Sequence, residues 1–86
     1  MARTAHMRQA RSLGTHTYDE WLALMAANDF RCAACEVRHY PDELTKDHIK
    51  PISRGGSDSI TNIQPLCRSC NTDKGTMEIN FMAETA

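Results

Sequence analysis

The sequence lacks any apolar run long enough to cross a membrane. Its first thirty residues also lack a leader-like stretch, since Met1 to Leu13 carries Arg3, Arg8 and Arg11 in place of an apolar segment. A cytoplasmic protein is the expectation. No internal repeat or low-complexity segment is present, so repeat arrays are set aside. An excess of positive charge is missing too: at a net charge of -1 the chain is not a uniformly basic nucleic-acid binder. Length is the last shortage. At 86 residues the chain makes one domain, and a core of that size supplies only about 3–5 kcal/mol unless a metal or disulfides assist it.

Four cysteines supply that assistance. Cys32-Ala-Ala-Cys35 and Cys67-Arg-Ser-Cys70 are two C-x-x-C pairs with residues 36–66 between them. Disulfides rarely persist in a reducing compartment. A redox C-x-x-C belongs at a helix start within a βαβ pattern, which this chain does not show. The reading is therefore a tetrahedral four-thiolate Zn²⁺ site, each pair wrapping one edge of the metal from a tight turn. Such a site contributes about 10–16 kcal/mol of apparent folding free energy in small zinc peptides.

Residues 1–16 have no apolar periodicity, three arginines and no acid, and are expected to form a flexible basic arm. A single domain over residues 17–86 is expected to follow. Thr17-Tyr18-Asp19-Glu20 is a capping box, and Trp21, Leu24 and Met25 recur at helical spacing. A helix from about Tyr18 to Asn28 should lay that stripe on the zinc-bearing part, with Trp21 in the core. "FRCAACEVR" reads as an extended segment broken by the first cysteine turn, and "ELTKDHI" as a strand ending near Ile49 to Pro51. "SRGGSDS" reads as a loop, and "CRSCNTDKG" as a short helix stopped by Gly75. The two cysteine turns pin a strand, a glycine loop and a returning segment at both ends, a rigid frame suited to a functional site.

Inside that frame Asp47 and His48 are neighbours. A carboxylate oxygen suits a hard divalent cation, and an imidazole can accept a proton from water near neutral pH. Metal-assisted hydrolysis of a phosphodiester uses both groups. Neighbours on a regular strand point to opposite faces, so the pair serves one site only where the strand is irregular or ends. Asn71 follows Cys70 and faces about 100° from it on a helix, offering an amide oxygen to Mg²⁺ or Mn²⁺. Arg68, Asn71 and Lys74 lie three apart on one side of that helix, where the two cations would meet a phosphate backbone. Arg54, in the glycine loop, is a further phosphate candidate. Gly55 and Gly56 are read as permitting the turn. His39 is read as a surface or structural histidine, and His6 and His16 as solvent-exposed.

"DHIKPISRGG", then Asn62, then "LCRSCNTDKG", with a C-x-x-C upstream, closely resembles the HNH nuclease family over a motif core of residues 32–75. The resemblance implies a small, zinc-stabilised α+β fold, with a ββα-metal (His-Me finger) core and here an N-terminal helix. It implies a metal-dependent DNA endonuclease. His48 would be the general base, Asp47 and Asn71 the ligands of the catalytic cation, and Asn62 the brace of the loop that carries His48. Histidine is commoner at the position of Asn71, and an amide oxygen favours Mg²⁺ or Mn²⁺ over softer metals. Water activated by His48 would attack phosphorus in line, one strand per active site, leaving 5′-phosphate and 3′-hydroxyl ends.

Double-stranded DNA is the implied partner, and no membrane is involved. The resemblance leaves open a homodimer, a phage or host protein partner, and a phage, restriction or mobile-element setting. Two other readings of the residues compete with it: a zinc-stabilised nucleic-acid-binding module that does not cut, and a protein-binding zinc module.

Overall fold

In a computed structural model the described residues are 14–82; most of the expected arm, including His6, lies outside them. Both halves of the predicted capping box form at the first helix. The Thr17 hydroxyl accepts from the Glu20 N–H at 3.1 Å, and Glu20 Oε1 accepts from the Thr17 N–H at 2.8 Å. The helix α1 spans Tyr18–Ala27, with Asn28 as its C-cap. Trp21 and Met25, one turn apart, are 6% and 2% exposed. Burial of each side chain is worth about 1.5–3 kcal/mol. Asp29 and Phe30 follow at φ 57° and 55° and turn the chain back, with the Phe30 N–H bonded to the Met25 carbonyl at 2.8 Å.

The next segment doubles back around the first cysteine pair. Arg31 and Arg38 form an isolated antiparallel bridge, and between them the Glu36 N–H bonds to the Cys32 carbonyl at 2.8 Å. Strand β1, Leu44–His48, then pairs antiparallel with β2, Ile63–Cys67, in the register Leu44 with Cys67 through His48 with Ile63. The second helix, α2, spans Arg68–Lys74 and ends at Gly75, whose φ of 57° suits glycine. The result is a small α+β fold in which β1, β2 and α2 make the ββα unit and α1 is an N-terminal addition.

Every residue of β2 is buried. Alternation puts Gln64 and Leu66 on one face and Ile63, Pro65 and Cys67 on the other. The first face looks towards α2: Asn71 of that helix donates to the hydroxyl of Thr45, the register partner of Leu66. On the second face Lys46, opposite Pro65, lies 5.8 Å from the ring centroid of Trp21 in α1. Proline is tolerated in β2 because its carbonyl points outwards, accepting from the Ala33 N–H at 2.8 Å. The N–H that proline lacks would face the same outer edge, where β1 has no use for it. That one bond also ties the first cysteine turn to the sheet.

Past Gly75 the chain follows α2 without extending it. Gln64 holds it down, donating to the Ile79 carbonyl at 2.8 Å and accepting from the Phe81 N–H at 2.9 Å, and Phe81 packs on the core. No helix among the described residues is long and apolar enough to cross a membrane.

Candidate active site

The four cysteines converge. Their Sγ atoms all lie within 4.8 Å of one another, and a tetrahedral zinc with Zn–S bonds of about 2.3 Å needs sulfurs roughly 3.8 Å apart. The donor set therefore fits a bound metal ion and is compatible with zinc. Electrostatics point the same way. Burial pushes the Cys32 thiol up, but the backbone N–H groups of Cys35, Cys67 and Ala34 outweigh it and bring the group down to about 7. Burial and then the surrounding cysteine side chains push Cys70 well up. Four sulfurs this close cannot all be thiolates without a cation to neutralise them.

Strand β1 ends at His48, close to the expected Ile49 to Pro51. Its register is regular through His48, so Asp47 and His48 leave on opposite faces of the sheet and the expected irregularity between them is absent. The Ile49 N–H still reaches the Asn62 carbonyl at 2.8 Å, but the chain bends there. Asn62 then fastens the connection from Ile49 to Thr61 with its side chain. Its Oδ1 accepts from the Lys50 N–H at 3.0 Å, and its Nδ2 donates to the carbonyls of Lys50 at 3.0 Å and Ser57 at 2.7 Å. A Cβ on Gly56 would collide with the Lys50 carbonyl, so the turn closes only around glycine. Gly55, at φ 93°, reverses the direction of the chain.

Asp58, in the same connection, accepts from His48 Nε2 at 2.7 Å on Oδ1. The Asp58 backbone carbonyl accepts from His16 Nδ1 at 2.7 Å. The hydrogen bond from His48 holds the Asp58 carboxyl below the ordinary carboxylate range, against partial burial. His16, His48 and Lys46 add electrostatic pull. His16 corrects an expectation: its side chain is only 7% exposed, because the segment before α1 packs on this loop.

Asp47 turns the other way, onto the α2 face. It is 5% exposed, with Oδ1 3.2 Å from Lys74 Nζ and Oδ2 accepting from Gln64 Nε2 at 2.8 Å. Lys74 Nζ also donates to the His48 carbonyl at 3.1 Å. Lys74, expected to face a phosphate backbone, is instead 3% exposed and serves as the internal counter-ion of Asp47. Asn71 Nδ2 donates to Thr45 Oγ1 at 2.7 Å, while that hydroxyl gives its own hydrogen to the Leu66 carbonyl at 2.7 Å. The amide nitrogen must therefore face the strand. Asp47 and Asn71 are thus both on the α2 side of the sheet, and their oxygens are the hard donors that Mg²⁺ or Mn²⁺ takes.

Among the remaining phosphate candidates, Arg68 and Arg54 are exposed, and Arg54 donates to the Thr76 carbonyl at 3.2 Å. His39 is partly buried, its Nδ1 3.7 Å from Glu43 Oε1, and its Nε2 is a buried nitrogen without a hydrogen-bond partner. The sequence reading missed Asp58, His16 and Gln64. Only Gln64 left a signal, as a polar residue among the apolar ones of "NIQPLC".

The model of the family described as HNH endonuclease matches residues 31–77, more than half of the chain. No curated protein matches the chain.

Proposed function

The chain belongs to the HNH endonuclease family, and from that premise we propose that it hydrolyses phosphodiester bonds of DNA with His48 as the general base. The observation that carries this reading is the anchoring of His48. The imidazole stands at the end of β1, half-exposed, and the loop behind it is tied by all three Asn62 hydrogen bonds. A base held in one orientation near water is what proton abstraction in an in-line displacement requires. Exposed Arg68 and Arg54 supply cations for backbone phosphates without reading base sequence. The four-cysteine cluster would hold a structural Zn²⁺, joining the first cysteine turn to the junction of β2 and α2. A Mg²⁺ or Mn²⁺ ion on the oxygens of Asp47 and Asn71 would supply a Lewis acid for the phosphate and the leaving oxygen. One such site cuts one strand, so cleavage of both strands takes two copies or two events.

One observation favours a second reading, a zinc-stabilised module that binds nucleic acid without cutting it: the charge of Asp47 is already met by Lys74. Incubation with supercoiled plasmid and Mg²⁺ or Mn²⁺, beside His48→Ala, separates the two. Catalysis predicts nicked or linear product from the wild type and a rate lower by about 10²–10⁴ in the variant. Retardation of DNA with no cleavage under either metal establishes the second reading and ends the first.

A further inference from the structure

The hydrogen bond between His48 and Asp58 defines the imidazole more closely than the family assignment does. A carboxylate can only accept, so the 2.7 Å contact at Oδ1 requires the hydrogen on His48 Nε2. In the neutral ring the lone pair is then on Nδ1. Asp58 is itself fixed from both sides. The Ser57 carbonyl before it accepts from Asn62. The Ser59 hydroxyl after it lies 2.7 Å from that of Ser57 and 3.1 Å from that of Thr61. The segment before α1 closes over the same place: His16 Nδ1 donates to the Asp58 carbonyl, and a Cβ on Gly14 would come within 2.9 Å of Ser59 Cβ.

We infer that Asp58 is the positioning residue of the base: its carboxylate holds His48 as the Nε2–H tautomer and leaves Nδ1 as the nitrogen that takes the proton from water. His16, from the segment ahead of the domain, keeps Asp58 in place. This rests on the reading of His48 as general base. It adds which nitrogen acts and which acid aims it. A carboxylate behind an imidazole fixes tautomer and ring orientation together, and loss of either removes the benefit of the base.

The test uses the full-length, zinc-loaded protein. In long-range ¹H–¹⁵N spectra, neutral His48 of the wild type shows Nε2 protonated as one tautomer, and Asp58→Ala shows a mixture. In plasmid cleavage, Asp58→Ala lowers kcat about a hundredfold, within the range of general-base contributions, and leaves KM within about twofold. Asp58→Glu, which restores a carboxylate, recovers part of kcat. An Nδ1–H tautomer in the wild type overturns the inference, and this measurement needs no variant that folds. Wild-type kcat in Asp58→Ala overturns it too. If His48→Ala is inactive while Asp58→Ala cuts normally, only the role of Asp58 falls. If the wild type does not cut, or His48→Ala cuts equally well, the base reading and this inference fall together.

Discussion

Two sets of metal-ligand candidates alternate along this chain and are in different states. The cysteine set is converged, four sulfurs within 4.8 Å of one another. Asp47 of the oxygen set is instead engaged by the protein's own cation, Lys74, and by Gln64. The difference follows from how each set is built. Each C-x-x-C is a local turn, so its spacing alone brings two sulfurs together, and one sheet contact, Ala33 to Pro65, brings the turns together. Asp47 is on a strand and Asn71 on a helix, so their neighbours depend on packing. A buried carboxylate demands a positive partner, and Lys74, buried beside it, supplies one.

Breaking the cysteine side should have the largest effect. Cys67→Ser, or chelation, removes a contribution of about 10–16 kcal/mol from a domain whose core supplies about 3–5 kcal/mol. The expected outcome is loss of the folded circular-dichroism signal together with the bound metal. Metal analysis of the wild type should find about one zinc per chain, four thiolates making one tetrahedral site. A folded, metal-free protein would contradict the comparison at its root.

Breaking the oxygen side should have a smaller effect of a different kind. Lys74→Ala leaves Asp47 buried and unpaired, at a cost of about 3–5 kcal/mol in denaturant unfolding. Asp47→Leu with Lys74→Met removes both charges and should be less destabilising than Lys74→Ala alone. Mn²⁺ sharpens the contrast. It should raise the melting temperature of Lys74→Ala, where a cation can replace the ammonium, and leave the double variant unmoved. Equal Mn²⁺ responses would show that Asp47 is not a cation site.

Asn62→Ala comes next. It strips partners from the Lys50 N–H and from the carbonyls of Lys50 and Ser57, groups that water can partly reach. The expected loss is about 1–3 kcal/mol, with amide exchange accelerated in residues 50–58 and unchanged in β2.

The legible part of the molecule follows the same division. Residues whose partners are local were readable: the Thr17 and Glu20 capping box, Trp21 in the core, the Gly75 stop, the two cysteine turns and the end of β1. The loop-binding geometry of Asn62 was reached only through the family resemblance. Residues whose partners are remote in sequence were not readable from spacing. Lys74 lies at helical spacing from Arg68 and looks like a second phosphate contact until the strand puts Asp47 beside it. His16 looks like part of a basic arm until the connection folds over to meet it. Neither contact follows from periodicity or spacing, because each joins elements that are remote in sequence and meet only through packing.

The smallest effect belongs to the clamp at the mouth of the first cysteine turn. Asp29 is exposed and lies 2.6 Å from Arg38 and 3.3 Å from Arg31, the two residues that form the bridge around that turn. The hydrogen bond to Arg38 holds its carboxyl below the ordinary range against slight desolvation, with the charges of both arginines adding to it. A depressed carboxyl stabilises the fold at pH values above its unfolded value of about 3.9. That contribution is lost as the pH falls through the lower folded value. From pH 7 to pH 5 the carboxyl is ionised in both states, so the difference between wild type and Asp29→Asn should be small and flat across that window. It should shrink in 1 M salt, where exposed charges are screened within about 3 Å. A difference that instead grows between pH 7 and pH 5 would mean that Asp29→Asn acts through groups other than its own carboxyl, which stays ionised across that window.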